Sequence, residues 1–365
     1  MHQRFIAPGA YVQGAGVLES AGEEFATLDA DRAYVLGGET ALSTVEDEVV
    51  TGLDAAETEV GAITSEVGMC THAVIDEQTE RVRKTDADLV VGVGGGVAMD
   101  VATAVAHRTD TLLAVVPTIA STDAPTSTVA VVYDEAGNFQ EVLHRDRNPE
   151  LVLVDTAVVA DAPARFLAHG MGDAMATHFE AQAVAASGGK TDAGGRSAFA
   201  AVDIAERAYR RVEDHGPDAL AAVERNAVTP AVERIVEANT LLSGLGFESA
   251  GTAGAHAVQT GLTNVGVREP HGLLVAFGTI VELLVQDRDP EVLEAALEVV
   301  FDVGLDVTLD EIGVTDDDLA RVGELACEHG MGQEPVDPSP ERVADAVRTA
   351  DELVCRRRDR PRRND

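Results

Sequence analysis

The chain has 365 residues, 45% of them hydrophobic, with 64 Asp and Glu against 27 Lys and Arg, a formal net charge of −37. The length gives room for two cores. An acidic excess of this size, spread along the chain rather than gathered in a tail, excludes nucleic acid as a partner and points to life in a salty cytoplasm. Three well-separated cysteines (Cys70, Cys327, Cys355) offer neither a disulfide framework nor a cysteine-built zinc site. No apolar run is long enough to span a membrane, and the opening MHQRFIAPGAYVQG lacks the apolar heart of a signal peptide, so a cytoplasmic protein without a membrane partner is expected.

Through the first 160 residues short apolar runs alternate with amphipathic stretches. AYVLGG (33–38), TEVGAI (58–63), DLVVGVG (88–94), LLAVVPT (112–118), STVAVVY (127–133) and ELVLVD (150–155) read as strands; 40–52, 73–84 and 97–107 read as helices. Apolar strands separated by helices predict a mostly parallel sheet covered on both faces. The runs at 127–133 and 139–144, joined by DEAGN, fit an antiparallel hairpin instead. Beyond Asp161 strand signals stop and Ala/Leu-rich helical patterns continue, interrupted by loops at SGGKTDAGG (187–195), HGPD (215–218), VGVREP (265–270) and EPVDPSP (334–340). The expected organisation is an α/β dinucleotide-binding domain over 1–160, an all-helical domain over 161–355, and a disordered basic tail, RRRDRPRRND, over 356–365.

The 88–94 strand runs into three consecutive glycines, Gly94, Gly95 and Gly96, ahead of a helical pattern. Neither G-x-x-x-x-G-K-[ST] nor G-x-G-x-x-G is satisfied, since Val97 stands where the last glycine belongs. Strand, bare backbone and helix N-terminus in that order still suit a phosphate; a plain strand-to-helix turn would use the same residues. TIASTDAPTST (118–128) follows the next strand onto the same rim, where ligands of open α/β sheets sit. Asp123 within it either accepts hydrogen bonds from ligand hydroxyls or closes an Asx turn before Pro125. In the second half Asp173 (HGMGDAMATHFEA), His256 (AGTAGAHAVQT) and His271 (REPHGLLVAFG) fall on separate helical segments. One carboxylate, two imidazoles and an open position make the ligand set of a catalytic divalent site. Spacing alone leaves Asp173 readable as an N-cap, His256 as a core residue, and His169 or His178 as rival ligands.

At GVGGGVAMDVATAVA, VPTIASTDAPTSTVAVVYDEAGNF, HGMGDAMATHFEA, EANTLLSGLGFESAGTAGAHAVQTGLT and EPHGLLVAFGT the chain resembles glycerol dehydrogenases, a metal-dependent polyol group of the iron-containing alcohol dehydrogenase family. The resemblance is nearly collinear from about Arg4 to Leu284, weaker to about 350, and absent in the arginine tail. It implies a dehydroquinate synthase-like architecture, a Rossmann-like N-terminal domain and a helical metal- and substrate-binding domain with the active site between them. It implies Zn²⁺, or another divalent metal such as Mn²⁺ or Fe²⁺, on Asp173, His256 and His271, and substrate glycerol on Asp123; these four form the catalytic set. NAD contacts fall on Gly94, Gly95, Gly96, Asp100, Thr118, Ser127, Val129 and Tyr133. The implied reaction is NAD-linked oxidation of glycerol, or a similar small vicinal diol, to dihydroxyacetone by a homo-oligomer, an octamer or a smaller even-numbered assembly.

The chain departs from the family pattern in four places. Val97 and Thr103 replace the lysines of GGGK-x-x-D-x-A-K, Leu273 and Leu274 replace the last two residues of HGEK, and Gln259 replaces a histidine. Gly38 stands where NAD-specific relatives carry the ribose-binding Asp, which opens the site to NADP unless neighbouring Glu39 takes over the ribose. A glycerol-1-phosphate dehydrogenase would need cationic residues around its substrate, and a dehydroquinate-synthase-like lyase several active-site lysines and arginines; the motifs supply neither. A non-catalytic cofactor-binding descendant is favoured by the lost HGEK residues and opposed by the retention of Asp123 and all three ligand positions.

Overall fold

The computed structural model describes residues 2–359. Its first half is built on strands β1 (Ala10–Gly14), β2 (Arg32–Gly37), β3 (Glu59–Thr64), β4 (Leu89–Gly94), β5 (Leu112–Pro117), β6 (Val129–Tyr133), β7 (Phe139–His144) and β8 (Leu151–Asp155). Six of them form one parallel sheet in the order β1-β8-β5-β4-β2-β3, while β6 and β7 pair antiparallel in a separate hairpin. The period of two divides each strand between two cores. Val90, Val115 and Val152 join one core, which runs on into the helical half; Val91, Val116 and Leu153 join the other, with Phe25, Leu42, Val45 and Val49. Burial on both faces is why these strands read as unbroken apolar runs. β1 carries no such run. It is a half-buried edge strand, AYVQG, ordered by parallel pairing with β8, and the sequence reading missed it.

Helices α1 (Ala21–Phe25), α2 (Glu39–Ala55), α3 (His72–Thr85) and α4 (Gly96–Thr109) alternate with the strands, and α5 (Thr156–Asp161) follows β8. From there the described chain is helical: α6 (Ala164–Ser187), α7 (Phe199–Val223), α8 (Pro230–Glu237), α9 (Ser243–Ala250), α10 (Gly254–Asn264), α11 (His271–Val285), α12 (Pro290–Asp302), α13 (Asp316–His329) and α14 (Pro340–Arg358). α6 and α11 are buried almost all round and form the centre of this half. A π-helical turn, Ala238–Leu242, separates α8 from α9. No described helix is long and apolar enough to cross a membrane.

Two expectations need correction. HGPD (215–218) is not a loop: α7 passes straight through it, with Pro217 inside the helix. Gly216 lets the helix lie so close to its neighbours that a Cβ there would sit 2.9 Å from Val303 and 3.2 Å from the Met171 sulfur, and this packing holds the turn that proline weakens. Nor are all the tail arginines loose. Arg356, Arg357 and Arg358 finish α14 and pair with Glu352, Glu294, and Asp306 with Glu311, respectively. Cations at a helix C-terminus complement its dipole, and here they also find carboxylates from α12 and the loop after it. The rest of that expected tail, 360–365, lies outside the described residues.

Candidate active site

A cleft of about 1050 Å³ opens where β2, β4 and β5 end, between the sheet and the helical half. β4 delivers the glycines. Gly94 has φ = +141°, a backbone conformation that side chains disfavour, and Gly95 caps α4 without any side-chain bond. The first turn of α4 thus presents backbone N–H groups and its positive dipole end to the cleft. Thr118, whose N–H donates to the Gly94 carbonyl at 3.0 Å, lies beside them. Gly38 and Glu39 open α2 at the end of β2, and Ser127, Val129 and Tyr133 bring the hairpin over the other wall. Asp100 Oδ1 accepts the Val131 N–H at 3.2 Å, fastening the hairpin to α4; burial pushes its carboxyl up to about 8. Every residue expected to touch a dinucleotide lines this one cleft.

At the other end of the cleft Asp173, His256 and His271 come together from α6, α10 and α11. The Nε2 atoms of His256 and His271 lie 3.4 and 3.3 Å from Asp173 Oδ1, and one ligand atom from each residue falls within 4.8 Å of the others. Both imidazoles line the cleft, whereas Asp173 is fully buried behind them. Its Oδ1 has no hydrogen-bond partner among the described residues, a costly state for a buried carboxylate. Burial opposes the charge on Asp173, but the neighbouring imidazoles outweigh it and hold the carboxyl below its ordinary range. One orphaned carboxylate oxygen facing two Nε2 atoms fits a divalent cation in donor type and in number. Among the described residues no other such group exists.

Asp123 sits beside this cluster in the loop after β5. Its N–H donates to Asp173 Oδ2 at 3.3 Å, and its own Oδ2 accepts the Ser243 hydroxyl at 2.8 Å. Burial and then the Asp173 charge push the Asp123 carboxyl well above the usual range. Thr126, three residues on, donates to the Thr240 carbonyl of the π-helical turn at 2.9 Å, so the widened turn anchors the loop that carries Asp123.

The rival histidines stay out. His178 follows Asp173 by five residues, which turns it to a different face of α6, where it stacks on Tyr209 at 5.1 Å and burial lowers its imidazole to about 4. His169 packs edge-on to Phe166 and belongs to no ligand group. The departures divide in the same way. Leu274 is buried in the core and Leu273 packs against it, neither lining the cleft, and Thr103 is buried; Val97 and Gln259 do line it.

Sequence reasoning missed Asp192, which lines the cleft from the loop after α6, and Glu180, whose carboxylate lies 2.6 Å from His256 Nδ1. Asp192 stands in a glycine-rich loop with no periodicity to mark it. Glu180 had a signal: seven residues after Asp173 it returns to the same helix face two turns on.

Comparisons with known proteins agree with this architecture. Residues 8–156 match the family model described as iron-containing alcohol dehydrogenase. The chain is 42% identical to the glycolaldehyde reductase of Halobacterium salinarum, over 98% of this chain and 99% of that protein. It is 40% identical to the glycerol dehydrogenase of Pseudomonas putida, over 97% and 98%. The crystal structure of a probable glycerol dehydrogenase from Sinorhizobium meliloti superposes with a TM-score of 0.91 at 36% identity, covering 97% of this chain and all of that one.

Proposed function

The chain belongs to the iron-containing alcohol dehydrogenase family, and from that membership we propose that it oxidises glycerol, or a similar small vicinal diol, to the hydroxyketone with NAD as hydride acceptor. The observation that carries this reading is the Asp173–His256–His271 cluster at one end of a cleft whose other end is the bare glycine loop of α4.

Asp173, His256 and His271 would hold the divalent cation, which we take to be Zn²⁺. The amides of Gly94, Gly95 and Gly96 would receive the dinucleotide pyrophosphate, Glu39 the adenosine ribose, and Thr118, Ser127, Val129 and Tyr133 the rest of the cofactor, with Asp100 fixing the hairpin that covers it. When bound, the cation supplies a Lewis acid for the substrate oxygen, and the nicotinamide supplies the hydride acceptor. Asp123 has one carboxyl oxygen held by Ser243 and the other left for a hydroxyl of the diol. With Asp192 it lines this end of the cleft with buried carboxyl groups, which suit the hydroxyls of a neutral polyol and offer no cation to a phosphorylated or carboxylated one. The working form we propose is a cytoplasmic, salt-adapted, even-numbered homo-oligomer, with residues 1–160 and 161–355 as its two domains. Light scattering in molar KCl measures the oligomer number.

A second reading is favoured by the relative named glycolaldehyde reductase. Reduction of a two-carbon hydroxyaldehyde yields a vicinal diol, so the same site would run in the opposite direction. The test is absorbance of the reduced cofactor with glycerol, 1,2-propanediol and glycerol-1-phosphate, and in reverse with glycolaldehyde and dihydroxyacetone. Each is run with NAD and NADP, before and after chelation. Chelator-sensitive oxidation of glycerol supports the first reading. Turnover of glycolaldehyde alone supports the second, and cofactor binding without turnover of any substrate overturns both.

A further inference from the structure

The two imidazoles at the cluster are held very differently. His256 lies in the first turn of α10, directly over Glu180 of α6. Glu180 Oε2 is 2.6 Å from His256 Nδ1, while Oε1 accepts the backbone N–H of Ala253 at 2.8 Å and of His256 itself at 2.9 Å. Glu180 is fully buried, so the three bonds together fix both the helix end and the ring. A carboxylate only accepts, so the proton between them belongs to Nδ1, and Nε2 is the nitrogen turned toward Asp173 Oδ1, 3.4 Å away, where a cation would take its lone pair. His271 opens α11 directly after Pro270 with its side chain one-third exposed, and among the described residues its ring has no carboxylate behind it.

A second carboxylate reaches the same helix end without touching the ring. Glu334, in the turn after α13, accepts the Gly254 N–H at 2.8 Å. It shares the capping of α10 with Glu180 but takes no part in orienting His256. The molecule thus contains its own control for separating the two tasks.

We propose that Glu180 is the positioning residue of the metal site: it fixes the tautomer and orientation of His256, so that His256 is the preorganised ligand of the pair and His271 the compliant one. The inference rests on the metal-site reading above. Orienting a metal-ligating imidazole through its other nitrogen is typically worth about 10–100-fold in metal affinity.

The test is zinc affinity of the chelator-stripped full chain in molar KCl, measured by competition with a chromogenic chelator, with melting temperature followed in parallel. Glu180→Ala should weaken zinc binding about 10–100-fold. Glu180→Gln, which keeps an acceptor oxygen but loses the charge, should fall between Glu180→Ala and the parent chain. In a His256→Ala background Glu180→Ala should cost nothing further, whereas in a His271→Ala background its full effect should persist. Glu334→Ala, which removes the acceptor of the Gly254 N–H, should lower the melting temperature and leave zinc affinity unchanged. Parent-like affinity in Glu180→Ala, or an equal loss of affinity in Glu334→Ala, overturns the inference while the metal site stands. Failure of the parent chain to bind one equivalent of zinc overturns the metal-site reading and this inference with it.

Discussion

Asp123 is secured on one side and open on the other. Ser243 holds one carboxyl oxygen, the backbone N–H ties the residue to Asp173, and the remaining oxygen meets the cleft. Asp123→Ala is therefore expected to lose the hydrogen-bond partner of a diol hydroxyl, about 1–3 kcal/mol, or roughly 5–150-fold in kcat/KM for a diol. Cofactor affinity, set at the far end of the cleft, should be unaffected. Steady-state kinetics beside a fluorescence titration of the cofactor would show the split, and equal losses in both would place Asp123 in a structural role. The residue was visible in the sequence because STDAP is a compact polar motif after a strand. Ser243 was not, because a serine in an Ala/Leu/Gly-rich helix looks like filler until the fold brings it across 120 positions of chain.

Elements were legible where one physical signal dominated. β2, β4, β5 and β8 showed themselves through burial on both faces, and α2, α3 and α4 through amphipathic periodicity between them. β1 was hidden because its order comes from a partner strand, and HGPD misled because glycine and proline were read as local punctuation when tertiary packing sets the outcome. Pro217 removes one helical N–H bond and crowds the preceding turn. Pro217→Ala should accordingly raise unfolding stability by about 1–3 kcal/mol, read from denaturant midpoints; a destabilised variant would mean that the helix needs its proline-bent course. The end of α10 carries the opposite kind of strain. Burial raises the Glu334 carboxyl to about 7 and holds the neighbouring Glu282 well above its ordinary range, whereas unfolded glutamates titrate at about 4.3. Stability from this pair is complete below the unfolded value and is lost as pH rises through about 7. The melting temperature should therefore fall between pH 6 and 8 at fixed salt, and Glu282→Gln should flatten that fall. Asp100, raised to about 8, has the same sign and should leave a residual slope. An undiminished slope in Glu282→Gln would remove the pair as its source.

The net charge of −37 belongs to no element and acts on the molecule as a whole. Arg32, Arg81, Arg83, Arg210, Arg321 and Arg348 are already engaged with surface carboxylates, yet 64 acidic side chains against 27 basic ones leave most of the negative charge without a partner. Exposed pairs of this kind contribute only about 0–1 kcal/mol each. The balance between folded and unfolded chain is therefore set by repulsion among the unpartnered carboxylates. Salt acts on that repulsion directly, since the Debye length falls from about 10 Å at 0.1 M to about 3 Å at 1 M. The melting temperature should rise steeply over this range and flatten beyond it, and KCl and NaCl should act alike if screening is the cause. Glu46, Asp47 and Glu48 lie exposed and consecutive on α2, and none of them lines the cleft. Replacing all three by lysine relieves the repulsion at its source, so the variant should reach its plateau at lower salt than the parent chain. A melting temperature indifferent to salt in the parent would show that the acidic surface carries no energetic penalty. A plateau unmoved by the lysines, with KCl and NaCl acting differently, would transfer the effect from screening to specific cation binding.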